Sequence, residues 1–200
     1  MSKDAAMVDA SLAFDTRGML PPGDYPMTLA GIRRSILIAG PPGRESWNRT
    51  WREWLLDHFE TLVMQLWGVG IEEIYLAGSF VSDRDHPGDL DGYFICDRAA
   101  YKTRALHRAL NDLGPFRNWT WRAENRRPTR DGQPKLPLWH DCRVELFPYY
   151  GQSRTGFFDE QGGDVDLPVL FRRVSGTHEP RGIVRIVAPD QPIASKPHER

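Results

Sequence analysis

The chain reads as an α/β protein, a sheet flanked by helices, and three observations carry that reading. Trp47, Trp51, Leu55, Phe59, Leu62, Val63 and Leu66 recur at three and four residues, the spacing of one helix face. The stretch IEEIYLAGSFVSDRDHPGDLDGYFIC, 71–96, holds two apolar runs of strand length separated by a Gly-Ser turn and a polar spacer. A third such run, DCRVELFPYY, follows at 141–150.

Taken in order, residues 1–45 are interrupted by GMLPPGDYPMT and GPPGRES and read as an N-terminal arm packed on the core. Thr28 is placed to cap a short helix, LAGIRRSILI. GPPGRES lacks the Lys-Ser/Thr pair of a phosphate loop and is expected to be a turn. The domain proper is expected over 46–190, with Ser46 opening the striped helix and Gly68 and Gly70 closing it. Strands are expected at 71–77 and 89–96, then a helix ending at Gly114. The Arg-rich, Pro-broken segment 115–140 reads as an excursion with one short strand. A strand at 141–150, a late strand in RGIVRIVAP and a frayed tail at 191–200 complete the chain.

Composition bounds the partners. With 200 residues, 40% hydrophobic, 26% charged and a net charge of -1, the chain can bury a core and has no global basic field for nucleic acid. No apolar run approaches the roughly 18 residues that cross a bilayer, and the N-terminus lacks a signal-peptide pattern, so a cytoplasmic protein with no membrane partner is expected. Cys96 and Cys142, both on expected strands, are then buried free thiols rather than a disulfide. The tryptophans of the long helix and of 115–140 suit either a core or a stacking surface for bases, and the arginines Arg122, Arg126 and Arg127 suit either a solvated loop or a local RNA surface.

The chemistry concentrates in PGDLDG. On a strand Asp89 and Asp91 share a face while Leu90 takes the other, and two carboxylates so close repel unless a cation lies between them. A divalent ion such as Mg²⁺ or Mn²⁺ satisfies that need; a solvated strand end is the other reading. Gly78 and Ser79, in a turn at the end of the preceding strand, allow phosphate to approach the backbone closely. A Ser/His/Asp hydrolase is excluded at this turn, because AGSFV lacks the second glycine of the nucleophile elbow.

Ala77, Gly78, Ser79, a nine-residue spacer, then Asp89, Leu90, Asp91 resembles the nucleotidyltransferase superfamily that includes DNA polymerase beta. FDTRGMLPPGDYPMTL, LAGSFVSDRDHPGDLDGYF and PRGIVRI look like a group of prokaryotic proteins with a minimal core of that kind. The resemblance implies a mixed, largely antiparallel sheet, a third carboxylate at Glu145, with Asp141 the weaker candidate, and a metal-dependent transferase. Asp89, Asp91 and Glu145 would be catalytic and hold Mg²⁺ or Mn²⁺; Gly78 and Ser79 would bind the phosphates of an NTP such as ATP. The acceptor would be a hydroxyl on an RNA end, a protein or a small molecule, in a toxin-antitoxin or defence setting that includes a protein partner. Arg84, Lys102 and Arg104 are candidate phosphate helpers, and His86 and His140 lie near the motif strands. The chain departs from the pattern at Gly92, where an apolar residue normally follows, and in using Glu for the third carboxylate. A fold-retaining module that binds nucleotide or a protein partner without turnover is the alternative.

Overall fold

A computed structural model describes residues 12–114, 118–151 and 162–189. Its elements run β1 (Asp24–Met27), α1 (Leu29–Arg34), α2 (Ile36–Ala39), α3 (Arg49–Gly68), β2 (Ile74–Ala77), a 3₁₀ turn (Gly78–Val81), β3 (Leu90–Ile95), α4 (Arg98–Lys102) and α5 (Ala105–Leu113). A second 3₁₀ turn (Ala123–Asn125), β4 (Arg127–Pro128), β5 (Pro134–Lys135), α6 (Pro137–Cys142), β6 (Val144–Tyr149), α7 (Leu167–Phe171) and β7 (Ile183–Ile186) follow. The main sheet has the order β1-β7-β2-β3-β6, and β4 and β5 form a separate ribbon. β7 with β2, β2 with β3 and β4 with β5 are antiparallel, whereas β1 with β7 and β3 with β6 are parallel. The main sheet is therefore mixed, with two antiparallel and two parallel pairings, and with the ribbon included antiparallel pairings are three of the five among the described residues.

Period-two alternation sorts the strands between two faces. Ile74, Leu76, Leu90, Phe94, Val184 and Ile186 point into the main core with α3 and α5. Tyr75, Ala77, Tyr93 and Ile183 point the other way, where Leu167 of α7 covers them. α3 supplies Leu55, Leu56, Phe59, Leu62, Val63 and Leu66 to the core, as its stripe requires. Gly92 lies between Leu76 and Leu146 in register. A Cβ there would come within 2.3 Å of the Tyr75 carbonyl oxygen and 3.0 Å of Leu146, which explains why glycine replaces the apolar residue expected.

Several boundaries differ from expectation for local reasons. α3 begins at Arg49 because Asn48, not Ser46, accepts a hydrogen bond from the Trp51 amide. The segment after Thr28 is two helices, since Ser35 takes an extended conformation, donates to Ile32 O and accepts from the Leu37 amide. The helix ending at Gly114 is likewise two, broken where Arg104 adopts φ 60°. The excursion holds a ribbon and α6, more than one short strand, and α6 places Cys142 on a helix and not on a strand. Both cysteines are nonetheless buried and free. Residues 24–27 of the arm form the edge strand β1, which sequence reading missed, and the tail at 191–200 lies outside the described residues.

The spacer between β2 and β3 is held by Arg52, whose side chain is fully buried on α3. Its guanidinium donates to the carbonyls of Leu37 and Phe80, both at 2.8 Å, of Ser82 at 3.0 Å and of Arg84 at 2.5 Å, and it lies 3.9 Å from the centre of the Trp47 ring. Burial depresses its pKa to about 9, yet it remains charged at neutral pH. Replacing Arg52 with methionine orphans these carbonyls, each at a cost of about 1–3 kcal/mol, so a loss of at least ~3 kcal/mol is expected in urea denaturation. Arg52→Lys is expected to recover only part of it, because an ammonium cannot span a planar fork of acceptors.

Candidate functional site

The parallel pairing of β3 with β6 sets Asp91 directly beside Glu145. Asp89 enters from the residue before β3, on the same side as Asp91, while Leu90 is buried in the core. Oxygens of all three carboxylates lie within 4.8 Å of one another. The structure thus brings Asp89, Asp91 and Glu145 together and leaves Asp141 apart, exposed on α6 and accepting from Asn118 Nδ2 at 2.8 Å.

Gly78 and Ser79 open the 3₁₀ turn at the end of β2, and Ala77 pairs with Asp91. Gly78 has φ 71°, and a Cβ on it would lie 2.3 Å from Asp91 Oδ2, so glycine is required both by conformation and by space. Arg181, 8% exposed, donates from Nη2 to Gly78 O at 2.7 Å and sits beside Asp91.

Two further groups enter from the excursion, and neither was expected. Lys135 of β5 places its Nζ 3.2 Å from Asp89 Oδ2 and 2.5 Å from Glu145 Oε2. Trp139 of α6 donates from Nε1 to the same Asp89 Oδ2 at 2.8 Å. Arg126 approaches Glu145 Oε1 no closer than 3.8 Å, and that buried oxygen has no hydrogen bond. The signal for Lys135 was slight: a lone lysine in GQPKLPLW, ten residues before Glu145. Its proximity follows from the crossover to β6, which returns over the ends of the strands.

Burial, followed by the neighbouring Asp89, pushes the Asp91 carboxyl up to about 7; Glu145 adds to the effect, and Lys135 and Arg181 oppose it. For Lys135 burial acts downward, but the bond to Glu145 and the charges of Asp89 and Asp91 outweigh it and hold the ammonium above its ordinary value. Three hard oxygen donors and a buried Glu145 oxygen without a hydrogen bond among the described residues suit a small divalent cation, with the Asp91 carboxylate packed against Gly78.

A cleft of about 890 Å³ opens from Gly78, Ser79 and Asp91. Arg84 and Arg173 line it, and neither makes an ion pair with a described residue. Arg44, also on its wall, is held by Asp83 and Asp85. Of the other helpers, Lys102 lies over the Tyr150 ring and Arg104 lines a second cleft of about 680 Å³, with Arg122 and Arg127. His86 stacks on Trp51 and His140 pairs with Arg127 O, so neither contacts the carboxylates. Trp119 is buried and bonded to Gln65, and Trp121 packs against the core and donates to Leu146 O. Of the three tryptophans of the excursion, Trp119 and Trp121 thus serve the core and Trp139 the carboxylate site.

The sign of the pH dependence follows from Asp91. Its folded pKa lies above the ordinary 3.8, so protonation stabilises the fold fully below that value and the contribution is lost as pH rises through about 7. In chelator-containing buffer, unfolding free energy is expected to fall over that window, and Asp91→Asn is expected to flatten the slope. Mn²⁺ affinity is expected to rise with pH up to about 7 and level off above it, since binding must displace the proton. Gly78→Ala is expected to weaken Mn²⁺ binding by ~10–100-fold by displacing the Asp91 carboxylate, as read by calorimetric titration.

Among the described residues no helix is long and apolar enough to cross a membrane. Comparison with curated proteins and with solved structures returns no match. A family model, described as a family of unknown function (DUF6932), matches residues 12–187, and the chain belongs to that family.

Proposed function

We propose that the chain is a metal-dependent nucleotidyltransferase, moving a nucleoside monophosphate from a nucleoside triphosphate to a hydroxyl acceptor on an RNA end, a protein or a small molecule. The observation that carries this reading is the convergence of Asp89, Asp91 and Glu145 beside the Gly78–Ser79 turn, at the mouth of an arginine-lined cleft. Mg²⁺ or Mn²⁺ bound there would offset phosphate charge and acidify the attacking hydroxyl.

The chain's own residues would do the rest. Asp89, Asp91 and Glu145 hold the cation, and Gly78 lets phosphate oxygens approach the backbone next to Ser79. Arg84 and Arg173, which make no ion pair with a described residue, would neutralise the β- and γ-phosphates, whereas Arg44 is committed to Asp83 and Asp85. The acceptor oxygen forms a bond to the α-phosphorus as the bond to the bridging oxygen of the β-phosphate breaks. Pyrophosphate leaves, and the hydroxyl proton passes to a carboxylate of the triad, Glu145 being a candidate because its buried Oε1 has no hydrogen bond among the described residues. The Arg122 and Arg127 wall of the second cleft offers charge for a polyanionic acceptor, and a toxin-antitoxin or defence setting with a protein partner belongs to the same proposal.

A second reading, a module that binds nucleotide or a partner without turnover, draws on one observation: Lys135 already pairs with two of the three carboxylates. The two readings separate on transfer of α-labelled ATP, GTP, CTP or UTP to total RNA, cell protein or small acceptors in Mg²⁺ or Mn²⁺. Label is expected on an acceptor with the wild type, reduced by more than the ~10–100-fold that loss of a supporting residue costs in an Asp89→Ala/Asp91→Ala variant. Nucleotide binding with no transfer to any acceptor would favour the module.

A further inference from the structure

We propose that the Lys135 ammonium fills one of the two cation positions of the carboxylate site, so that the substrate-free protein takes a single divalent ion, on the Asp91 side. This inference rests on the reading of the triad as a divalent-cation site.

Sites that use a pair of metals place them about 3.5–4 Å apart, with shared carboxylates between them. Here Nζ of Lys135 lies within hydrogen-bond reach of Asp89 Oδ2 and Glu145 Oε2, the place one member of such a pair would take. Asp89 Oδ2 also accepts from Trp139 Nε1, so that oxygen already faces two N–H donors. The atoms left for an ion are the Asp91 carboxylate, Asp89 Oδ1 and the buried Glu145 Oε1, which has no hydrogen bond. Charge points the same way: three carboxylates against the Lys135 ammonium leave two negative charges before Arg126, 3.8 Å from Glu145 Oε1, is counted, so no more than one divalent ion is balanced. Two divalent ions beside Lys135 would leave two positive charges uncompensated, with Arg181 close to Asp91 as well.

The lysine is positioned to stay. Its side chain is 19% exposed, its strand is tied down by Arg126 Nη1 donating to Pro134 O at 2.9 Å, and its Nζ lies 5.7 Å from the centre of the Trp139 ring. A tethered cation cannot exchange, so one position keeps its charge at any metal concentration while the other follows the supply of metal.

The test is a Mn²⁺ titration of the full chain without nucleotide, read by electron paramagnetic resonance. Wild type is expected to bind one Mn²⁺ per chain with the six-line spectrum of an isolated ion. Lys135→Met, which keeps the aliphatic stem, is expected to bind two, with the broadened spectrum of a coupled pair; Lys135→Arg, which keeps the charge, is expected to bind one. Two coupled ions in the wild type, or a single ion in Lys135→Met, would overturn the inference while leaving the metal-dependent reading intact. No bound Mn²⁺ in any of the three would overturn both. Should Lys135→Met not fold, the wild-type and Lys135→Arg counts decide the matter.

Discussion

The geometry of this protein depends on a buried guanidinium. Arg52 leaves the helix stripe to gather the carbonyls of Leu37, Phe80, Ser82 and Arg84, and so ties the N-terminal arm and the spacer of the motif to the same helix. A loop of that length would otherwise expose its backbone to water or leave its carbonyls unpaired in the core, and both are unfavourable. One arginine satisfies four of them at once. Desolvation of the charge opposes this, as the depressed pKa shows, and the ring of Trp47 against the guanidinium offsets part of the cost. With the spacer fixed, the Gly78 turn and Asp89 at its two ends are fixed as well.

The site built on that frame is electrostatically strained by design of its topology. Parallel pairing of β3 and β6 forces Asp91 and Glu145 side by side, and Asp89 joins them. The fold meets this repulsion with an ammonium from the ribbon, an indole N–H from α6 and a buried arginine that approaches through the Gly78 carbonyl. These partners compensate unequally. Asp89 and Glu145 share Lys135, whereas among the described residues no cation is hydrogen-bonded to Asp91, which holds its proton up to about neutral pH. The asymmetry marks the Asp91 side as the part of the site still open to a ligand of positive charge.

Gly92 shows how a local departure from a motif can have a packing cause. Glycine in mid-strand weakens a sheet, yet here the backbone of β2 and the side chain of Leu146 occupy the space a side chain would need. The residue is explained by close approach of neighbouring strands, and its presence says nothing about loss of activity.

Elements with local signals were legible in the residues alone: the apolar stripe of α3, the strands on either side of the Gly-Ser turn, the strand of Glu145 and the late strand. Alternation along β3 was enough to put Asp89 and Asp91 on one face, because side-chain direction in a strand is a matter of parity. Glu145, flanked by Val144 and Leu146, was set above Asp141 by the resemblance to the nucleotidyltransferase pattern and not by alternation. Contacts made across the chain emerged only on folding. Lys135, Trp139, Arg181 and Arg52 are polar or aromatic residues whose hydrogen-bond partners lie between 15 and 103 positions away, apart from the Lys135–Glu145 pair. No periodicity records such distances, so helpers chosen by nearness in sequence, Lys102 and Arg104, proved to lie elsewhere. Helix breaks at Ser35 and Arg104 escaped for the same kind of reason: a single residue's φ and ψ, set by its surroundings, overrode the propensity of the segment.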